Sequence, residues 1–318
     1  MTAAQGKSNS TALVAAAFAV LLLPGVVGGI GPLLVAVAPA IGFGILYGLQ
    51  TRLIYGTLLA VMVAAIGLEL LNGHAGLGLL TIQATGISTI LATSSRRGWS
   101  GPQTALACFA FLVWTLIFSI FLIAGGDLKA WYIGFMERFA NEIESVLRQY
   151  GELAGRDKGM EQWLPLIKKE LIRLFPGFLG LSLAAISVSN VVVAALFIQR
   201  FWGKRAFEPS FENWKLPEAL VWVVISAGAL ALFGQGAYQD VGLNILYIIG
   251  FFYFVQGLAI VHFLIKRMHM PWYIRWPIYI LILIQWYGLL MLALIGLADV
   301  WVDFRARLEP EDDNNGPD

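Results

Sequence analysis

The sequence predicts an all-α polytopic transmembrane helical bundle, and three observations carry that expectation. Of 318 residues, 58% are hydrophobic and only 13% charged, about half the charged share of an ordinary soluble domain. The apolar residues come in uninterrupted runs, each near the roughly 20 residues that cross a hydrocarbon layer. The runs do not alternate as barrel strands do, which leaves helices as the way to satisfy every backbone N–H and C=O inside lipid.

Nine spans are expected, at about residues 12–29, 31–49, 53–71, 76–94, 103–124, 177–198, 218–234, 242–265 and 277–297. They become eight if the first two form one broken element, because Pro24, Gly25, Gly28, Gly29, Gly31 and Pro32 interrupt them. Lys7 ahead of an apolar run suggests a signal peptide, but no A-x-A site follows and another span begins at once, so a retained signal anchor is the reading. The expected division is a five-span unit at 1–124, an external amphipathic insertion at 125–176, a four-span unit at 177–298 and a polar tail at 299–318. The tail's Pro, Asn, Asp and Gly read as disordered.

Orientation follows from the short loops. Lys7, Arg52, Arg96, Arg97, Arg200, Lys204, Arg205, Lys215, Lys266, Arg267 and Arg275 fall on one side of the nine-span threading, against Arg305 and Arg307 on the other. The excess places the amino terminus in the cytoplasm and the carboxyl terminus outside. Trp99, Trp202, Trp214 and Trp272 lie beside these basic clusters, where amphipathic rings anchor at the interface. The expected location is a bacterial cytoplasmic (inner) membrane.

In the insertion, Leu128, Tyr132, Phe135, Phe139, Ile143, Val146 and Tyr150 recur every three to four residues among charged positions, which is an amphipathic helix. Trp163, Leu164, Ile167, Leu171 and Leu174 continue the pattern around Pro165. Tyr132, Phe135, Phe139 and Ile143 are expected on a buried face. Such helices either cap the bundle as a lid or lie at the interface.

Chemistry is sparse. There is no H-E-x-x-H helix, G-x-S-x-G elbow or phosphate loop, so no enzyme class is favoured. His74, His262 and His269 lack ligand-like companions, so no metal or other cofactor is expected. A net charge of +1 gives no footprint for nucleic acid. The single cysteine, Cys108, sits in an apolar run as a buried thiol. Ionisable groups inside spans are functional candidates, and Glu69 is the clearest. With Gln83, Asn190, Tyr253 and Gln256 it forms the candidate ligand pocket, although the same uncharged groups also serve as interhelical hydrogen-bond partners. Ala12, Ala16, Ala15 and Ala19 form small-residue pairs at four-residue spacing, a candidate helix-contact face. Asp299 and Asp303, on one helical face, read as surface ion partners or a cap, since a catalytic dyad needs carboxylates on facing elements.

Three stretches carry a resemblance: Phe211-Glu212-Asn213-Trp214-Lys215-Leu216-Pro217-Glu218, Phe251-Phe252-Tyr253-Phe254-Val255-Gln256-Gly257, and the ending from Gly296 to Arg305. Together they resemble the YybS-like family of bacterial membrane proteins. That family's amino-terminal half is similar to the substrate-binding S components of energy-coupling-factor transporters and to the cell-shape protein MreD. The resemblance implies that the alanine face of the first helix meets a transmembrane partner. Two functions follow as expectations: a small-molecule binding or uptake component energised by other membrane subunits, or a non-transporting scaffold of a cell-envelope assembly. The insertion and the extra carboxy-terminal spans depart from a plain six-helix S component.

Overall fold

The computed structural model describes residues 3–26, 30–72, 75–153 and 157–308. Every element among them is helical. In chain order these are α1 (Ala3–Val26), α2 (Gly31–Leu34), α3 (Ala38–Leu46), α4 (Thr51–Asn72), α5 (Ala75–Arg97), α6 (Gly101–Ile123), α7 (Leu128–Leu153) and α8 (Asp157–Trp202). After a short 3-10 turn at Phe211–Asn213 come α9 (Leu220–Phe233), α10 (Ala237–Arg267), α11 (Trp272–Ile284), α12 (Trp286–Val302) and α13 (Phe304–Leu308).

Three helical stretches are long and apolar enough to cross a membrane: Gly101–Ile123, Pro165–Trp202 and Ala237–Arg267. The bent pair Tyr273–Ile282 and Tyr287–Val302 makes a fourth if it counts as one span. Ser10–Pro24, Thr51–Gly67 and Leu220–Phe233 are apolar but shorter. Nine full-length spans are therefore not drawn. One physical reason is that the expected second span is two short helices, α2 and α3, each opened by a proline in its first turn. Pro39 has no N–H, and its ring excludes the carbonyl four residues earlier, so the ladder breaks at Val35.

Pair contacts fix the helix directions. Gly48 lies under the ring of Trp202, whose Nε1 donates to the Gly44 carbonyl at 2.9 Å. Arg96 donates to Thr51, and Gly101 packs on Trp214. One end of the bundle thus gathers the end of α3, the starts of α4 and α6, and the ends of α5 and α8. At the other end Asp240 pairs with Arg173. Gly177 meets Asn244 and Gly180 meets Ile248, so α8 and α10 run parallel. Lys266 pairs with Glu212 at 2.7 Å, returning α10 to the first end.

The carboxy-terminal ending differs from the nine-span threading, which puts residues 199–217 and 299–318 on opposite sides. Lys215 Nζ lies 2.9 Å from Asp303, and Arg305 Nη2 donates to the Trp214 carbonyl at 3.0 Å. Between α10 and this ending lies the bent pair Tyr273–Ile282 and Tyr287–Val302, at 98°, either a broken span or a re-entrant pair. The packing surface is glycine: a Cβ at Gly257 would strike the Leu292 carbonyl, and one at Gly296 would strike the Tyr253 carbonyl. Only a backbone without side chains at those points lets α10 and α12 cross so closely.

Within 125–176 the described residues form α7 and the first part of α8, and the division expected after residue 176 falls inside α8, a helix of 46 residues. Its first part packs against α7, with Phe175 between Phe135 and Phe139 at ring distances of 5.4 and 4.5 Å. Met136 and Ala140 are buried beside them, and Lys168 pairs with Glu144 at 3.0 Å. Tyr132, expected on this face, is instead exposed. It shares the stripe of 135, 136, 139 and 140 but lies nearer the start of α7, beyond the stretch that packs on Phe175.

Two outcomes check this architecture. Cysteines placed at Ser95 and Ala306 should label alike with an impermeant reagent in intact cells, whereas opposite accessibility contradicts the returning ending. Phe139→Glu should raise hydrogen exchange along α7 and the start of α8, while Glu137→Gln on the exposed side leaves it unchanged. Equal effects would mean that α7 does not pack on α8.

Candidate functional site

Of the five residues expected to line a pocket, the four whose side chains are described, Gln83, Asn190, Tyr253 and Gln256, have no shared hydrogen-bond partners. Glu69 lies on α4, and its side chain falls outside the described set, as does His74. Gln83, on α5, donates to the Thr115 hydroxyl at 3.4 Å. Asn190, fully buried on α8, serves the break in the second span: its Nδ2 donates to the Val35 carbonyl at 2.8 Å, and its Oδ1 accepts from the Ala40 N–H at 3.1 Å. Ser189 donates to the Ala36 carbonyl and Ser88 to the Pro39 carbonyl, each at 2.9 Å. The groups freed by Pro39 are thus met by side chains of α5 and α8, as lipid burial demands.

A second amide repeats the arrangement beside Pro176, which leaves α8 without one ladder N–H. Asn244 Oδ1 accepts from the Gly177 N–H and its Nδ2 donates to the Arg173 carbonyl, at 2.5 and 3.0 Å. Those two groups are partners in one helical step, so Asn244 splints the ladder from outside.

The third amide, Gln256, centres the densest polar cluster among the described residues. Its Oε1 accepts from the Leu216 N–H at 2.9 Å, and its Nε2 donates to the Gly296 carbonyl at 3.0 Å and to Asp299 at 3.1 Å. Asp299 has no exposed surface, which corrects its reading as a surface ion partner. Its capping role holds: Oδ1 accepts from the Phe304 N–H at 3.0 Å, closing the end of α12. There Asp303 sits in the left-handed region at φ 45°. Arg305 lies 3.7 Å from Asp299 and is itself buried. The three stretches that carried the family resemblance meet here, each supplying partners to the other two.

Electrostatics follows the contacts. The Lys215 ammonium, by hydrogen bond and charge, holds the Asp303 carboxyl below its usual range. Burial pushes the Arg305 guanidinium down, while Asp299 and Asp303 pull it back up. Lys266 likewise lowers Glu212. Trp214 Nε1, Arg305 Nε and the Tyr253 hydroxyl are buried without a hydrogen-bond partner among the described residues. Sequence reasoning ranked Gln256 as a ligand group but missed its link to Asp299 and Arg305. The available signal was that Asp299 and Gln256 both lie in runs otherwise too apolar to hold them unpaired.

The alanine face of α1 turns outward. Ala12, Ala15, Ala16 and Ala19 are all exposed, while Ala17 and Leu21 pack inward. Cys108 is buried, as expected of a structural thiol.

Apolar helices with an interior held by backbone-directed amides define an integral membrane protein of the helical class. The chain belongs to a family described as "Predicted membrane protein (DUF2232)", which matches residues 14–300. No curated protein and no solved structure matches it.

Removing one partner of a buried ion pair costs about 3–5 kcal/mol. Arg305→Leu should therefore lower the unfolding midpoint in detergent markedly, and adding Asp299→Asn should recover part of the loss. Wild-type stability in Arg305→Leu alone would show that the cluster holds nothing together.

Proposed function

We propose that this protein is a non-enzymatic scaffold of a bacterial cytoplasmic-membrane assembly, which binds other membrane subunits through outward helix faces. One observation carries the reading: three of the four buried amides, Asn190, Asn244 and Gln256, are committed to the protein's own backbone, and the fourth, Gln83, bonds the Thr115 hydroxyl. In many transporters, unwound backbone at a broken helix is left open to substrate. Here Val35, Ala36, Pro39 and Ala40 are instead met by Asn190, Ser189 and Ser88. The exposed Ala12, Ala15, Ala16 and Ala19 provide a flat surface for close helix approach. The resemblance to the YybS-like family, whose amino-terminal half is similar to MreD, agrees with this proposal.

With the carboxyl end returned to the 203–219 loop, Arg305 and Arg307 join the other short-loop basic residues at one end of the bundle. That supports a cytoplasmic position for this end, carrying both the start of α1 and the end of α13.

A second reading, a small-molecule binding or uptake component like an S component, draws on the three unpartnered buried polar atoms beside Gln256 and Asp299. Purification into lipid discs from the native host, followed by mass spectrometry of bound species, separates the two. The scaffold reading expects co-purifying membrane proteins, lost from Ala16→Leu, and no stoichiometric small molecule. A small molecule retained by the wild type and lost from Tyr253→Phe would establish the second reading instead.

A further inference from the structure

The gathered end of the bundle carries more positive charge than its own acids neutralise. Arg52 begins α4, Arg96 and Arg97 close α5, and Arg200 lies at the end of α8 with Lys204 just beyond. All five are exposed. They adjoin through two contacts: Trp202 covers Gly48, and Arg96 donates to Thr51, three residues further on. Four of the five nearby carboxylates are committed elsewhere. Asp299 is sealed inside, Glu212 is held by Lys266, Asp303 by Lys215, and Glu208 lies 4.0 Å from Arg205. Glu218 stands on the approach to α9.

The cations are interleaved with apolar surface. Leu53 follows Arg52, Trp99 follows Arg97 by two residues, and Phe201 follows Arg200, each a large exposed hydrophobic side chain. Guanidinium groups bind phosphate oxygens in a two-point fork, and the neighbouring apolar groups match the acyl boundary directly below a headgroup. An acidic soluble partner would match the charge but leave Leu53 and Phe201 facing nothing apolar.

We propose that Arg52, Arg96, Arg97, Arg200 and Lys204 form a site for the phosphate headgroup of an anionic membrane lipid. The inference rests on the membrane setting of the fold and is independent of the scaffold reading. Each cation near an anionic surface favours it by about 1 kcal/mol, or about five-fold.

The test is native mass spectrometry of the full chain in neutral detergent, with phosphatidylglycerol and phosphatidylcholine of matched acyl chains added in equal amounts. The wild type should retain phosphatidylglycerol several-fold more, and the combined Arg96→Gln, Arg97→Gln and Arg200→Gln variant should bind both lipids equally. Lys129→Gln with Arg138→Gln, at the other end, should keep the wild-type preference. Wild-type thermal unfolding supplies a check free of variants: phosphatidylglycerol should raise the midpoint, less so at high salt as screening shortens. Equal retention of the two lipids by the wild type, or equal loss in the far-end variant, overturns the proposal. Displacement of phosphatidylglycerol by inorganic phosphate alone would overturn the lipid as the source of the anion, as would an acidic protein found there in its place.

Discussion

Inside lipid, a backbone group without a partner has no water to turn to, and the rest of this structure depends on how that constraint is met. The chain departs from continuous helix at residues 35–40 and in the run at 214–217 beside the end of α12, and Pro176 removes an N–H from the ladder inside α8. At each place one carboxamide both accepts from a backbone N–H and donates to a carbonyl. Asn190 does this for Ala40 and Val35, Asn244 for Gly177 and Arg173, and Gln256 for Leu216 and Gly296. An amide suits the task because it offers donor and acceptor from one uncharged group, without the cost of burying a charge.

The three splints organise larger parts. Asn190 ties α2 and α3 to α8, which lets Trp202 close over Gly48. Asn244 ties the Pro176 region of α8 to α10, with Arg173 and Asp240 paired alongside. Gln256 joins the 203–219 loop to α12, and among the described residues only there does a full charge enter the interior. Asp299 is bonded by Gln256 and the Phe304 N–H and paired with Arg305, so the buried carboxylate is compensated from three sides. The glycine crossing of α10 and α12 makes the arrangement geometrically possible.

Much of this was legible in the residues, and the limits have physical causes. Apolar runs announced a helical membrane bundle, and the three-to-four-residue periodicity of Phe135 and Phe139 announced the face that packs on Phe175. Pro24 and Pro32 signalled a break near the first two spans, but the backbone also yields at Val35, where Pro39 acts. Nine spans are not confirmed at the ending, because composition cannot distinguish an apolar helix that crosses from one that turns back. That distinction lies in Gly257 and Gly296, whose meaning depends on a long-range contact. Asn190 and Gln256 stood out as polar groups in apolar runs, yet nothing local separates an amide that binds a ligand from one that binds backbone. Asp299 looked like a surface residue because it follows the last apolar run, and burial by Arg305 comes from beyond the turn at Asp303.

Structure and function meet in this commitment of polar groups. If the amides hold backbone, the interior is a frame, and interaction belongs to the outer faces such as the alanines of α1. The most direct measurement is the unfolding free energy of Asn190→Leu in detergent, with hydrogen exchange at the Ala40 amide. Two orphaned backbone groups at about 1–3 kcal/mol each predict a loss of about 2–6 kcal/mol, with protection at Ala40 abolished. Unchanged stability with Ala40 still protected would contradict the account, because Asn190 would then be free to serve something other than the fold.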